Sequence, residues 1–204
     1  MSNIGHSAAR AVASKTIDVV LKNVDKNREE GVCKLIDFMQ KYMSEEKLDV
    51  NYDKAREMVC NKDGAFNKYI NRVLDEVDPH VLKTMALNLG FEAFMYGTKT
   101  IRKNREKYDC NVPWLILMDP TSACNLHCTG CWAAEYGNRL NLTFDEMDKV
   151  VQQGKELGTY LYMFTGGEPL VRKADLIKLC EKHNDCAFLS FTNGTLVDEA
   201  FCQE

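Results

Sequence analysis

The chain has 204 residues, 45% of them apolar and 27% charged, with nine cysteines and a net charge of −4. Those proportions exclude a disordered tail, a collagenous chain and a fibrous coil, and the length allows one large domain or two small ones. The cysteines, about 4% of the chain, are too sparse for a small secreted disulfide scaffold and more than a cytosolic protein needs for packing.

The first residues do not read as a secretory leader, because Arg10, Lys15, Asp18 and Lys22 interrupt any apolar run. The longest dense apolar stretch, Trp114 to Met118, is far too short to span a bilayer. A cytoplasmic setting follows as the expectation, with thiols reduced and free for metals. Residues 1–110 carry 19 basic and 17 acidic side chains, and residues 111–204 carry 7 and 13. Neither half has the basic face that nucleic-acid binding requires. The cluster Lys99, Arg102, Lys103, Arg105 and Lys107 reads as a solvated helix.

Residues 1–110 read as a helical accessory region. Ala9, Val12, Ala13, Ile17, Val20, Leu21 and Val24 recur at three and four residues, and so do Val32, Leu35, Ile36, Met39, Tyr42 and Met43. A short helix is expected around Ala55–Cys60 and a clearer one over Phe66–Val77. Asp78-Pro79 then opens a helical stretch over 80–107 that Gly90 and Gly97 weaken. Cys33 and Cys60 sit among apolar neighbours and read as buried core residues.

From residue 111 the rhythm changes. Trp114–Met118, Tyr160–Phe164 and Ala187–Phe191 read as strands. Thr143-Phe-Asp-Glu146 is a capping box opening a helix closed by Gly158, a second helix covers Leu170–His183, and a third starts at Thr195–Asp198. Strands alternating with helices imply βαβ units and a parallel sheet, an α/β class. Three such units leave an open edge, so residues 111–204 read as part of a larger domain.

Two motifs carry chemistry. Cys124, Cys128 and Cys131 follow the first strand with the spacing C-x3-C-x2-C. Three such thiolates can reach one soft metal centre: zinc, copper(I) or an iron–sulfur cluster. Structural zinc wants a fourth ligand, for which His127 or Cys110 is available. A cluster held by three thiolates leaves one iron open. Thr165-Gly-Gly-Glu-Pro169 follows the second strand. Its paired glycines let a ligand approach the backbone, and Glu168 adds an anion suited to an amino group. Both motifs fall at the carboxyl ends of consecutive strands, where ligands gather in parallel α/β folds.

Residues 112–204 resemble the radical S-adenosylmethionine (radical SAM) superfamily. The resemblance rests on Cys124-Asn-Leu-His-Cys128-Thr-Gly-Cys131, Gly166-Gly-Glu-Pro169 and Phe191-Thr-Asn-Gly194. It implies the first half, about three βα units, of a partial (β/α)6 barrel, in the N-terminal portion of a longer protein. It also implies a 4Fe–4S cluster on Cys124, Cys128 and Cys131, with S-adenosylmethionine on the open iron. Gly166, Gly167 and Glu168 would lie against the methionine amino group, with Asn193 near the cofactor. By the same resemblance, a low-potential donor such as flavodoxin or ferredoxin reduces the cluster. The cofactor is cleaved to a 5′-deoxyadenosyl radical that takes hydrogen from an unknown substrate. One position departs from the family: Gly130 stands before the third cysteine, where an aromatic residue near the adenine is usual; Trp132 after it could take over some of that packing, although a loop tryptophan more often reads as plain core. The alternative is a non-catalytic zinc or iron–sulfur module acting in protein interaction.

Overall fold

The computed structural model describes residues 3–23, 27–43, 50–133, 137 and 139–203; Val24 and most of the polar stretch 44–53 lie outside them. The chain divides into two compact units, Met1–Tyr96 and Gly97–Glu204.

The first unit is helical: α1 (Asn3–Asn23), α2 (Arg28–Tyr42), α3 (Tyr52–Cys60), α4 (Ala65–Glu76) and α5 (Pro79–Met85), followed by a π-helical segment Ala86–Gly97. Short polar side chains start several of these helices. Asn51 accepts from Lys54 N at 2.8 Å, and Asp78 from His80 N at 2.7 Å, just before Pro79. Ala13 and Ile17 of α1 pack with Met43, Leu87, Phe91 and Met95. Within this unit Glu92 is fully buried, held by His6 Nε2 at 2.8 Å and Arg10 Nη1 at 2.6 Å. The periodicity also placed Cys33 and Cys60 in the core, and this is corrected: Cys33 is half-buried and Cys60 exposed.

The second unit opens with α6 (Thr98–Tyr108), so the helical stretch and the first compact unit end at different residues. It continues with β1 (Leu115–Met118), α7 (Phe144–Leu157), β2 (Leu161–Phe164), a 3-10 turn Pro169–Arg172, α8 (Lys173–Lys182), β3 (Ala187–Ser190) and α9 (Glu199–Gln203). The strands form one parallel sheet in the order β1-β2-β3, with Ile116, Tyr162 and Phe188 in one cross-strand row. Tyr162 is fully buried; its hydroxyl lies 3.0 Å from Val151 O and 2.9 Å from Thr159 O, which ties β2 to α7. Burial raises its phenol above the usual range. The capping box is present, with Thr143 N donating to Glu146 Oε2 at 2.7 Å and Glu146 N to Thr143 Oγ1 at 3.2 Å. The last helix begins at Glu199, four residues after the expected start. Thr195 turns back onto Asn193 instead, and Asp198 caps the helix by accepting from Phe201 N at 2.8 Å.

Candidate functional site

The pairing of β1 with β2 does not stop where the strands end. Thr165 N donates to Met118 O at 3.0 Å, Gly167 N to Thr121 O at 3.0 Å, and Glu168 N to Ala123 O at 2.8 Å. The Gly-Gly-Glu segment therefore runs against the backbone that leads into the cysteine loop. Only glycine fits this approach. A Cβ on Gly167 would stand 2.2 Å from Ala123 O; one on Gly166 would stand 2.7 Å from Thr121 O, at a φ of +103°. The loop returns beside its own start: Ser122 N donates to Leu140 O at 2.8 Å and Leu142 N to Pro120 O at 3.1 Å. Arg172 clamps both limbs, donating from Nη1 to Pro120 O at 3.2 Å and to Leu142 O at 2.8 Å. Nothing in the spacing singled out Arg172, because its partners are carbonyls that any residue would supply.

The three cysteines line one cavity of about 190 Å³, and His127 lines it with them. Cys124 is half-buried and Cys128 and Cys131 are exposed, with a turn between the last two closed by Cys131 N on Cys128 O at 3.2 Å. Gly130, at φ +75°, shapes that turn; an aromatic residue there would be strained. Among the described residues, no group of three or more His, Cys, Asp or Glu side chains converges on a single-ion site. A second cavity, of about 420 Å³, shares Ser122, Ala133 and Gly167 with the first and adds Asp119, Trp132 and Gly166. Trp132 is 63% exposed and borders this cavity, so the reading of it as plain core is corrected.

The end of β3 closes the arrangement. Glu168 is 1% exposed, and its carboxylate accepts from Leu170 N at 2.9 Å, Thr192 Oγ1 at 2.7 Å and Asn193 N at 2.8 Å. Asn193 Nδ2 donates to Asn125 Oδ1 at 2.9 Å and lies 4.0 Å from Cys124 Sγ. Asn125 in turn donates to Thr195 Oγ1 at 2.7 Å. Three loops that leave the same sheet edge are thus tied to one another, through a buried anion and a pair of asparagines.

The donor set suits a polynuclear cluster. Three soft thiols border one cavity together with His127, and its walls hold no fourth cysteine among the described residues, so such a cluster would keep one metal position open unless the His127 imidazole filled it. The other four cysteines of the second unit differ in burial: Cys186 is buried, Cys180 half-buried, and Cys110 and Cys202 exposed.

Comparison with known proteins falls on this region. Over 102 residues the chain is 31% identical to a GTP 3′,8-cyclase of Clostridium perfringens, covering 47% of this chain and 31% of that protein. It is 32% identical over 91 residues to an AdoMet-dependent heme synthase of Methanosarcina barkeri, covering 43% of this chain and 26% of the relative. With a PqqA peptide cyclase of Bradyrhizobium diazoefficiens it shares 36% identity over 76 residues, 36% of this chain and 20% of that protein. The chain thus spans a third or less of the length of these relatives. No solved structure matches it at a comparable level of significance. The Radical SAM superfamily profile matches residues 118–204, the stretch that holds both cavities, the three cysteines and the Gly-Gly-Glu segment, and this segment of the chain belongs to that superfamily.

Proposed function

We propose that the second unit is the first half of a partial (β/α)6 radical SAM core, in an enzyme that acts on S-adenosylmethionine with a 4Fe–4S cluster. The observation that carries this reading is the shared wall of the two cavities. One is bordered by Cys124, Cys128 and Cys131, the other by the bare backbone of Gly166 and Gly167. The cysteines would hold the cluster, one thiolate to each of three irons. Gly166 and Gly167 would receive the methionine end of the cofactor against their backbone. Glu168 would act from behind them, fixing Thr192 and Asn193, and Asn193 would steady the loop at Cys124. When bound, the cluster and cofactor supply one-electron cleavage of the sulfonium to a 5′-deoxyadenosyl radical, which takes hydrogen from a substrate carbon. The protein's share is to position these groups and exclude water.

The names of the relatives refer to GTP, a peptide and heme. Those names differ, so the segment they share with this chain does not by itself name a substrate. A low-potential one-electron donor of the flavodoxin or ferredoxin kind would be the partner, in a cytoplasmic setting. Among the described residues, no helix is long and apolar enough to cross a membrane.

Anaerobic reconstitution with iron and sulfide tests the reading. The expected product is brown, with about four irons per chain, and its reduced form changes its electron paramagnetic spectrum on addition of S-adenosylmethionine. Replacing any one of Cys124, Cys128 or Cys131 by alanine removes that response. Tight stoichiometric zinc with no such response would establish the zinc-module alternative instead.

A further inference from the structure

Two cysteines of the helical unit face each other. Cys33 on α2 and Cys60 at the end of α3 are 27 residues apart in sequence, and their sulfurs lie 3.9 Å apart. The helices are pinned beside them by Arg56, which donates to Asp37 of α2 at 3.0 and 2.7 Å and to Asp53 of α3 at 2.9 Å, and also bonds Gln40. Cys60 is exposed and Cys33 half-buried, so Cys60 is the more accessible of the two. We propose that Cys33 and Cys60 form a reversible dithiol–disulfide site that locks α2 to α3 when a low-molecular-weight disulfide oxidises it.

The exchange balances in two steps. The Cys60 thiolate attacks one sulfur of the small disulfide, which breaks its S–S bond, expels one small thiolate and leaves a mixed disulfide on Cys60. Cys33 then gives its proton to solvent and attacks Cys60 Sγ, which expels the second small thiolate. Two protein thiols are oxidised by two electrons, one small disulfide is reduced to two thiols, and the protons follow to those products. Burial and the neighbouring Cys60 raise the Cys33 thiol above its ordinary value, which leaves the exposed sulfur to react first. Bond formation closes the sulfurs from 3.9 Å to about 2.05 Å.

The test uses the full chain with oxidised glutathione in excess, acid quenching, alkylation and tryptic mapping. Trypsin places Cys33 in the peptide 29–34 and Cys60 in 57–62. The expected result is a linked 29–34/57–62 peptide, about 2 Da lighter than its two parts, that is reversed by dithiothreitol. It should exceed either singly glutathionylated peptide by at least ~10-fold, because a facing thiol acts at a high effective concentration. Cys33→Ser should trap glutathione on Cys60, since the resolving sulfur is gone. Separate glutathione adducts on the two peptides of the unsubstituted chain would overturn the proposal. So would linkage of either cysteine to another one, or failure of Cys33→Ser to trap an adduct on Cys60.

Discussion

Replacing Glu168 with glutamine keeps the shape of the side chain and removes one acceptor. The carboxylate takes three donors: Leu170 N and Thr192 Oγ1 on Oε1, and Asn193 N on Oε2. A glutamine oxygen can serve the first pair, but its amide then points a donor at the Asn193 N–H. One charge-assisted hydrogen bond is lost, worth about 1.5–3 kcal/mol, and one partly buried donor is left unsatisfied, costing about 1–3 kcal/mol. The two overlap, so the expected loss is roughly 2–4 kcal/mol. Both tryptophans of the chain, Trp114 and Trp132, lie in the second unit, so their fluorescence follows that unit through urea unfolding. With a slope of about 1–3 kcal/mol per molar urea, the midpoint should fall by roughly 1–3 M. Iron uptake on reconstitution should fall too, because Asn193 is the link from Glu168 to Asn125 and the neighbourhood of Cys124. A Glu168→Gln protein within about 0.5 kcal/mol of the parent would refute the reasoning, and the carboxylate would not be what joins the second and third loops.

Gly167→Ala would put a methyl group 2.2 Å from Ala123 O and 2.6 Å from Ser122 O, parting two backbone segments. A loss of about 2–4 kcal/mol is expected by the same fluorescence measurement, against a change within about 1 kcal/mol for Gly90→Ala by circular dichroism. Nothing lies within 4 Å of a Cβ at Gly90. The Lys182 ammonium, with His183 beside it, holds the Asp148 carboxyl below its ordinary value near 3.9. Asp148 therefore contributes stability that is fully present above pH ~4 and is lost as pH falls through the folded-state value. Urea midpoints between pH 2 and 6 should show that acid slope in the parent and a shallower one in Asp148→Asn. Burial pushes the Cys180 thiol up to about 11. On the order of one part in a thousand is ionised at pH 8, so iodoacetamide should label the exposed Cys202 in the folded chain and leave Cys180 untouched until denaturation.

What the sequence made legible was local. The three strands, the Thr143–Glu146 box and the cysteine and glycine motifs are written in neighbouring residues, and their bounds shifted by only a residue or a few in the structure. What it hid depends on partners far along the chain. The Glu168 motif carried no sign of its hydrogen bonds to Thr192 and Asn193, 24 and 25 residues away. Glu92 gave no sign of burial, because His6 and Arg10 lie 86 and 82 residues before it. Cys33 and Cys60 were misread because an apolar neighbourhood in sequence does not say which side of a helix meets solvent. Trp132 misled in the same sense: a large aromatic ring suggests the core, yet a loop can hold it at the mouth of a cavity.

The asparagine link between the cysteine loop and the third strand also has a consequence in time. Asn125 and Asn193 are 68 residues apart, and Asn125 and Thr195 are 70. On a ribosome adding about 5–20 residues per second, the last of these partners follows Cys124 by several seconds at least. During that interval the thiols have been synthesised but the frame that steadies them has not. Metal delivered in that window would meet loose, competing thiols, and metal delivered after it would meet a framed pocket. Loading late, onto a chain already folded past Thr195, is the order this connectivity favours.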